Sequence, residues 1–368
     1  MKLRVCLIIP TLDQGGAEKQ LSLLVRGLDR TVIDPMVVVL TRTGPREQEL
    51  LDSGIEVHHI NKRWKLDPFA WLRLRGLLKI LKPDVVHTWI FAANAYGRTA
   101  AMVAKVPVIL GSERSVDPWK NGLQFWIDGY LAKRTQGVTA NSQGTIDFYV
   151  QHGIDANSFQ LIPNGIEPPQ PNTVSRVEAF ARMGVPLDKK VIISIGRLWP
   201  QKGYKDLIWA AELLRVCRED LCYVIIGEGP ERQRLEQFRD NIKGAVNVKF
   251  LGERSDVGAL LPHCDILWNG SLYEGQSNVI LEAMQSRVTV IASDIPGNRE
   301  LITHEHTGML YPVGAIDKLS RITNQLLNDD QRRKLLASNA QLHVQQEHSV
   351  EKMVQRHTNL YRVKVKNR

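Results

Sequence analysis

Two kinds of segment are missing from this sequence of 368 residues. No run approaches the roughly 18 apolar residues of a membrane-spanning helix, and the apolar residues 3–10 end too soon to form a signal-peptide core. The four cysteines form no C-x-x-C pair, which disfavours a metal or disulfide role. These absences predict a cytoplasmic protein with buried free thiols, and a hydrophobic fraction of 43% excludes a disordered or fibrous chain.

The net charge of +9 predicts an acidic partner, and nucleic acid, anionic lipid headgroups and nucleotide phosphates all qualify. Residues 62–82 carry seven basic residues against one acidic residue, interleaved with two Trp and one Phe. Such a helix suits an anionic membrane surface, and Trp119, Phe125 and Trp126 add a second aromatic group. A core helix with a solvated basic face fits equally well. No nucleic-acid-binding module is recognisable, so nucleic acid is not an expected partner.

Short apolar strands alternate with helical segments along the chain, which predicts parallel α/β layers. The predicted strands form a first series at residues 3–9, 35–40, 55–60, 84–88, 107–110 and 137–140, and a second series at 191–195, 221–226, 246–251, 266–268 and 288–292. The two series predict two Rossmann-like domains. Because the alternation stops at the proline-rich residues 166–172, the predicted domains are 1–167 and 168–347, followed by a helical segment at 348–368.

Two glutamates, Glu274 and Glu282, lie eight positions apart where a loop of Gly, Ser and Asn leads into an apolar helical run. One carboxylate precedes the predicted helix and the other lies about a turn and a half inside it. The helix N-terminus between them offers backbone N–H groups and a partial positive charge, which suit a phosphate. Carboxylates for hydroxyls and amides for phosphate together indicate a sugar nucleotide. A helix with an acidic first turn and a solvated second Glu explains the spacing equally well.

Arg197 and Lys202 flank the loop after the first strand of the second series. Because ligands collect at the carboxyl ends of parallel strands, the two cations are predicted to converge on a diphosphate and to stabilise it as it leaves. Two solvated loop cations are the alternative. Adjacent Gly15 and Gly16, after the first strand of the chain, would let backbone approach a phosphate, although a tight turn would need them equally.

Other strand ends carry further candidates. Gly227 and Leu251 end two strands of the second series, where backbone can read a base or ribose, although a simple turn is the commoner explanation. In the first series His87 lies near the end of the strand at 84–88, and Glu113 and Arg114 follow the strand at 107–110 and are predicted to face the space between the domains. The alternatives are a core histidine and a local ion pair.

Taken in order, the motifs resemble those of the retaining glycosyltransferases of family 4, the group 1 enzymes with the GT-B fold. The matching motifs are Gly-Gly-Ala-Glu at 15–18, Pro-Asn-Gly-Ile at 163–166, Gly-Arg…Gln-Lys-Gly at 196–203, Gly-Glu-Gly-Pro at 227–230, Phe-Leu-Gly at 250–252, Glu-x7-Glu-Ala-Met at 274–284, Pro-Gly-Asn-Arg-Glu-Leu at 296–301 and Thr-Gly-Met-Leu at 307–310. Each motif is weak alone, whereas the ordered set spans nearly the whole chain. The resemblance implies two Rossmann-like domains facing each other across a cleft, with the final helix packing on the N-terminal domain.

By this resemblance Glu282 binds the ribose, Glu274 binds the transferred sugar, and Arg197 and Lys202 hold the diphosphate. The other expected donor contacts are Gly15, Gly16, Gly227, Leu251, Gly275, Ser277, Asn278 and Val279. Retention is expected through front-face attack, in which the leaving phosphate helps to take the acceptor proton. No metal or cofactor is expected, and no D-x-D, the usual metal clamp of the other main glycosyltransferase fold, occurs in the sequence.

The chain departs from the family pattern at two places. Many relatives carry a His near the reaction centre where this chain has Ser-Glu-Arg at 112–114, so Glu113 occupies the expected catalytic position and the sugar preference stays open. Residues 285–290 lack the family's Gly and Pro, which weakens a turn but removes no reactive group.

The expected reaction moves a hexose from a UDP- or GDP-linked sugar to a lipid-linked or polysaccharide acceptor at the cytosolic membrane face. His87 and Arg114 are candidate contacts on the acceptor side. Two alternatives remain open, a nucleotide-sugar epimerase of the same fold and a non-catalytic subunit that binds sugar nucleotides.

Overall fold

The computed structural model describes residues 2–169, 174–242 and 247–367. The chain forms two compact units, one of Met1–Gly165 with Val350–Arg368 and one of Ile166–Ser349. Each unit is built on a single parallel sheet with helices between its strands. The predicted fold class, two Rossmann-like α/β domains, is therefore confirmed.

Among the described residues the first unit has seven strands and seven α-helices. The strands are β1 (Leu3–Thr11), β2 (Ile33–Arg42), β3 (Glu56–His59), β4 (Val85–Thr88), β5 (Val108–Glu113), β6 (Gly137–Ala140) and β7 (Phe159–Leu161). The helices are α1 (Gly16–Gly27), α2 (Arg46–Asp52), α3 (Pro68–Leu81), α4 (Ile90–Val103), α5 (Gly122–Ala132), α6 (Gln143–Gln151) and, from the end of the chain, α15 (Val350–Lys366). The parallel sheet has the order β3-β2-β1-β4-β5-β6-β7.

The central strand β1 is buried on both faces, as is usual in a parallel sheet that helices cover on each side. Val5, Leu7 and Ile9 belong to the core that includes residues of α1 and α15. Cys6 and Ile8 belong to the opposite core, which includes residues of α3 and α4. The final helix packs closely on α1, because a Cβ atom at Gly27 would lie 2.7 Å from Val354 Cγ2.

The described part of the second unit has six strands and eight α-helices. The strands are β8 (Lys190–Ile195), β9 (Leu221–Ile226), β10 (Val248–Phe250), β11 (Ile266–Asn269), β12 (Thr289–Ser293) and β13 (Met309–Tyr311). The helices are α7 (Arg176–Met183), α8 (Tyr204–Cys217), α9 (Arg232–Asp240), α10 (Val257–Leu260), α11 (Asn278–Gln285), α12 (Pro296–Arg299), α13 (Ile316–Asn328) and α14 (Asp330–Glu347). The sheet is parallel, in the order β10-β9-β8-β11-β12-β13.

All eleven predicted strands are present, with ends within three residues of the predicted ones where the structure describes them. The sequence does not predict β7 and β13, which have three residues each and are too short for a clear apolar pattern. Residue 246 of one predicted strand and residues 170–172 of the predicted linker lie outside the described residues.

The cysteine prediction needs one correction. Cys6, Cys222 and Cys264 are buried free thiols, but Cys217 is exposed at the end of α8. It is the last residue of α8, next to Val216, which is 73% exposed.

None of the helices in the described ranges is long and apolar enough to cross a bilayer.

Candidate functional site

In the second unit the loops that follow β8, β9, β11 and β12 meet at one edge of the sheet. The cause is topological, because these four strands are parallel neighbours and their carboxyl ends point the same way. Arg197 and Lys202 follow β8, Gly227 follows β9, and Glu274 follows β11. The fold thus gathers residues that are far apart in the sequence.

Lys202 and Glu274 are in direct contact at this edge. The Lys202 ammonium forms an ion pair with Oε1 of Glu274, and the Ser271 hydroxyl donates a hydrogen bond to the same oxygen. The Glu274 residue is only 8% exposed, and the Lys202 side chain is 22% exposed. A carboxylate held from two sides has a fixed position before any ligand arrives.

Two hydrogen bonds hold the loop after β8 and the loop after β11 together. The Gln201 side-chain amide donates to the Tyr273 carbonyl at 2.7 Å, and the Leu272 N–H donates to the Gln201 carbonyl at 2.8 Å. Gly203 has a φ of +64°, and a Cβ atom there would overlap the Gly270 carbonyl oxygen. Glycine is required at this position for both reasons.

A buried polar network lies next to the carboxylate. The Asn298 amide donates to the Ser293 carbonyl at 2.9 Å, and the Ser293 hydroxyl donates to the Ser271 carbonyl at 2.5 Å. These hydrogen bonds position the Ser271 backbone and, through its hydroxyl, Glu274. Neither Ser271 nor Asn298 is among the functional residues predicted from the sequence. Asn298 lies inside the Pro-Gly-Asn-Arg-Glu-Leu motif at 296–301, but the motif alone does not show that this side chain is buried.

Helix α11 begins at Asn278, so Glu274 precedes the helix and Glu282 lies inside it, as the sequence indicates. The N-cap residue Ser277 makes no side-chain cap hydrogen bond. Its hydroxyl instead accepts a 3.3 Å hydrogen bond from the Asn269 amide. Glu282 and the predicted donor contact Val279 are half-buried.

The loop before α11 is tightly packed. Gly275 and Ser277 are buried, and Asn278 is half-buried. A Cβ atom at Gly297, in α12, would overlap the Gly275 carbonyl oxygen. The close approach of α12 therefore fixes the loop that carries the predicted donor contacts.

The two predicted cations of the loop differ in their surroundings. Lys202 pairs with Glu274, whereas the exposed Arg197 guanidinium lies 5.5 Å from the centre of the Trp199 ring. The structure therefore brings Lys202 and Glu274 together and leaves Arg197 on the exposed part of the same loop.

The glycines after β9 pack against protein backbone. A Cβ atom at Gly227 would overlap the Gly196 carbonyl oxygen, and one at Gly229 would lie 2.7 Å from the Leu198 nitrogen. These glycines allow two loops to pack together, which favours the turn explanation over open space for a base. The Leu251 N–H is also used, because it donates to the Ile225 carbonyl at 2.9 Å.

At Gly15 and Gly16 the start of α1 is occupied by a carboxylate of the same helix. The Glu18 side chain is nearly buried, accepts a 2.9 Å hydrogen bond from the Thr11 hydroxyl, and lies where a Cβ atom of Gly15 would be. A carboxylate is favourable at a helix N-terminus. A phosphate approaching the predicted contact would meet this negative charge.

Glu113, the predicted catalytic carboxylate of the first unit, is buried, and both of its carboxylate oxygens accept hydrogen bonds. It accepts hydrogen bonds from the Asn94 amide at 2.8 Å and the Tyr149 hydroxyl at 2.9 Å. Its exposed fraction is 3%. This geometry gives Glu113 a structural role in place of the solvent-facing one that its strand-end position suggests.

Glu113 belongs to a buried cluster around one ammonium group. Lys120 lies 3.5 Å from Glu113, 3.4 Å from Asp117 and 2.9 Å from Asp128, and its side chain is 0% exposed. Arg98 forms a second ion pair with Asp128 at 3.1 Å. Burial, reinforced by the Glu113 charge, raises the pKa of Asp128 to about 6. The two cations therefore hold three carboxylates inside the unit.

His87 is a core residue in this structure. It is fully buried, with Nδ1 2.8 Å from the Tyr361 hydroxyl and Nε2 3.1 Å from the Thr139 hydroxyl. Burial, followed by the neighbouring His357 and Arg114, lowers the pKa of His87 well below its ordinary value. The ring is therefore neutral and packed inside, which matches the core alternative and corrects the acceptor-side prediction.

The basic segment at 62–82 is half core and half exposed. Ala70, Leu74 and Leu78 of α3 are buried. The aromatic residues Trp64 and Phe69, by contrast, are 59% and 64% exposed. The single acidic residue of the segment, Asp67, is buried as the N-cap of α3, so the exposed charges of this segment are all positive.

The second aromatic group is smaller than predicted. Trp119 and Trp126 are exposed, but Phe125 is buried and stacks on His152 with ring centroids 4.0 Å apart. Trp119 also contacts Phe91 of α4, with centroids 5.6 Å apart. Phe125 thus contributes to packing and leaves two tryptophans at the surface.

Across the described ranges, no group of three or more His, Cys, Asp or Glu side chains could hold a metal ion.

Two family models match the chain. Residues 14–169 match the model described as Glycosyltransferase Family 4, and residues 175–343 match the model described as Glycosyl transferases group 1. Together they include the strand-end loops of both units.

Characterised relatives share about a quarter of the residues. A galactosyltransferase of Escherichia coli, named UDP-Gal:alpha-D-GlcNAc-diphosphoundecaprenol alpha-1,3-galactosyltransferase, is 27% identical over 80% of this chain and 79% of its own length. A Campylobacter jejuni enzyme, N,N'-diacetylbacillosaminyl-diphospho-undecaprenol alpha-1,3-N-acetylgalactosaminyltransferase, is 28% identical over 90% of this chain and 92% of its own. The crystal structure of Anabaena HepE with UDP and glucose has a TM-score of 0.87 at 24% identity, covering 97% of this chain and 99% of HepE.

Proposed function

Because the chain belongs to the group 1 glycosyltransferases of family 4, we propose that it transfers a hexosyl group from a UDP-sugar to a lipid-linked acceptor and retains the anomeric configuration. The observation that carries the donor side is the Lys202–Glu274 pair at the strand-end edge of the second unit. A cation beside an oriented carboxylate suits a ligand that has a diphosphate next to sugar hydroxyls.

In this proposal the ion pair opens when the donor binds. The Lys202 ammonium turns to the diphosphate, and Glu274 accepts hydrogen bonds from hydroxyls of the transferred sugar. Ser271 continues to donate to Glu274, so the carboxylate keeps its position. The exposed Arg197 adds a second cation from the same loop, and Glu282 accepts from the ribose.

The chemical step is a substitution at the anomeric carbon. A bond forms from the acceptor oxygen to that carbon on the face from which the phosphate leaves, and the carbon–oxygen bond to the diphosphate breaks. The acceptor proton passes to an oxygen of the departing diphosphate. Lys202 and Arg197 stabilise the negative charge that develops there, so the proposal needs no metal ion.

The nucleotide and acceptor classes are taken from named relatives. The Escherichia coli enzyme uses UDP-Gal, and both it and the Campylobacter jejuni enzyme act on sugars linked to undecaprenol through a diphosphate. Identities of 27% and 28% over 80% and 90% of this chain support the same classes here.

Ligand binding gives the first test. We expect UDP and UDP-sugars to raise the melting temperature, because a ligand at about 100 times its Kd adds roughly 2.7 kcal/mol of stability. GDP and GDP-sugars at equal concentration are the matched controls. A larger shift with GDP than with UDP would contradict the nucleotide assignment.

Transfer itself is tested with a polyprenyl-diphosphate-linked sugar as acceptor and UDP-hexoses as donors. Mass spectrometry should show one added hexose, and NMR should show the donor's anomeric configuration in the product. Conversion of the donor sugar to its epimer without acceptor would instead support an epimerase. Donor binding with neither transfer nor slow hydrolysis would support a non-catalytic subunit.

A lipid-linked acceptor also requires access to a bilayer, and we propose that the first unit binds the cytosolic membrane surface peripherally. Trp64, Phe69 and Trp119 are exposed and lie near the N-termini of α3 and α5. Rings of this kind lie at headgroup level, and each nearby cation adds roughly 1 kcal/mol on an anionic surface.

Liposome flotation tests this surface. We expect binding to vesicles with anionic lipid, weaker binding to neutral vesicles, and clear loss with Trp64→Ser plus Phe69→Ser, because the buried apolar area disappears. Trp209→Ser is the matched control, since Trp209 is 43% exposed in the second unit. Equal failure to bind both vesicle types would contradict the membrane proposal.

A further inference from the structure

Four neighbouring strands of the first unit each end beside a polar side chain. Trp89 follows β4, Arg114 follows β5, Asn141 follows β6 and Asn164 lies beyond β7. Because these strands are parallel and adjacent, the four residues lie at the same edge of the sheet. Arg114 is central among them.

Arg114 contacts its three neighbours directly. Its Nη2 donates to the Asn164 side-chain oxygen, its guanidinium carbon lies 4.6 Å from the centre of the Trp89 ring, and its carbonyl accepts from the Asn141 amide at 3.2 Å. All of these partners are neutral.

The guanidinium therefore lacks a counter-charge within the described part of the chain. Arg114 is 8% exposed, yet it forms an ion pair with no carboxylate among the residues that the structure describes. Arg98 of the same unit is also buried, at 1% exposed, but pairs with Asp128 at 3.1 Å. Burial alone lowers the pKa of Arg114 to about 9. Burying an unpaired cation is costly, so its retention needs a reason other than stability.

Unused hydrogen-bonding atoms surround this charge. Arg114 Nη1, Trp89 Nε1 and His357 Nε2 are buried without a partner among the described residues. The Trp89 and His357 rings are stacked, with centroids 6.1 Å apart and planes 19° apart. The first two atoms carry N–H donors. His357 Nδ1 donates to the Met353 carbonyl and burial lowers the pKa of His357 to about 3, so the neutral ring offers Nε2 only as an acceptor.

We propose that Arg114 and Trp89 form an anion-binding site for a phosphate group of the acceptor. The assignment to the acceptor rests on the proposed function, whereas the anion site itself rests on the unpaired guanidinium and the unused indole N–H. Phosphate fits because its several oxygens accept from the guanidinium and the indole N–H together.

Binding of inorganic pyrophosphate tests the site without any transfer assay. Calorimetry is performed on the full chain with Arg197→Ala and Lys202→Ala, which removes the donor-side cations. We expect this variant to bind pyrophosphate, and the added change Arg114→Met to weaken binding by roughly 10- to 100-fold, as for loss of a charged hydrogen-bond partner. Equal binding with and without Arg114, or no binding by the first variant, overturns the site.

Thermal melting separates ligand binding from a structural role. Methionine keeps the length of the side chain and removes the buried charge, so Arg114→Met should leave the melting temperature unchanged or higher. Arg134→Met is the matched control, because the exposed Arg134 guanidinium also lies over a ring, 4.4 Å from the centre of Tyr130. A clear drop for Arg114→Met alone would show that the cation only supports packing. If that variant does not fold, Arg114→Lys should fold and bind pyrophosphate about tenfold more weakly.

Kinetics identify the source of the phosphate. With the acceptor supplied as polyprenyl diphosphate sugar, Arg114→Met should raise the acceptor KM by about tenfold and leave the UDP-sugar KM unchanged. A raised donor KM with an unchanged acceptor KM would assign the anion to the nucleotide diphosphate and overturn the acceptor assignment. Pyrophosphate binding that depends on Arg114, without any transfer by the wild-type chain, would keep the anion site and reject the proposed function.

Discussion

Lys202→Ala should lower kcat/KM by roughly 10²- to 10³-fold, as expected when one preorganised group that stabilises developing charge is lost. The Lys202 ammonium would no longer reach the diphosphate as negative charge accumulates on it. Glu274, which is only 8% exposed, would also lose its one cationic partner among the described residues and would lie next to two phosphates with its charge unbalanced. Steady-state rates over a range of donor concentrations give kcat/KM for both proteins.

Lys190→Ala provides the matched control for this change. Lys190 is the first residue of β8, the strand that leads into the Lys202 loop. Its side chain is 30% exposed and contacts Asp265 at 3.8 Å and Asp330 at 3.6 Å. It lies at the opposite end of β8 from the strand-end loops, so we expect near wild-type rates. A Lys202→Ala rate within about twofold of wild type, or an equal loss for Lys190→Ala, would remove Lys202 from the mechanism.

Lys120→Met should destabilise the first unit by about 3–5 kcal/mol, the usual range when one partner of a buried ion pair is removed. The change leaves Glu113, Asp117 and Asp128 with Arg98 as the remaining cation of the cluster, and only Asp128 pairs with it directly. Denaturant unfolding measures the loss. Lys133→Met is the matched control, because Lys133 caps the end of α5 and is exposed.

The deficit of Lys120→Met should shrink as the pH falls from 8 to 5. The pKa of Asp128 is already raised to about 6 in the intact cluster, chiefly by burial. A carboxyl group with a raised pKa in the folded state binds more protons there than in the unfolded chain, so its contribution to stability increases as pH falls through that pKa. Loss of the neighbouring ammonium raises the pKa further. An equal deficit at both pH values would exclude proton uptake by the cluster.

The strand pattern was the most predictable part of the fold. Val5 to Ile9 and Leu221 to Ile226 are continuous apolar runs, as expected for strands buried on both faces. The runs do not say which face each residue occupies, and the three-residue edge strand β7 left no signal. Secondary structure follows from local chemistry, but face and strand order depend on packing between distant segments.

The candidate site was predictable in kind and only partly in detail. Glu274 and Lys202 stand at strand ends with the right chemistry, and their 72-residue separation is closed by the parallel sheet. The sequence predicts that Gly227 leaves space for a ligand, yet the Gly196 carbonyl occupies the position where a Cβ atom of Gly227 would be. A glycine in a sequence does not show whether a ligand or a neighbouring loop packs against it.

The sequence by itself determined the two parallel α/β domains, the ordered motifs and the excess of positive charge, because these depend on local pattern and composition. Only the tertiary structure decided which charges are balanced. Glu113 and Arg114 are adjacent in the chain, yet Glu113 is bound by Lys120 and Tyr149 while Arg114 faces only neutral partners. Burial sets the cost of a charge, and only the fold decides which opposite charge lies within reach.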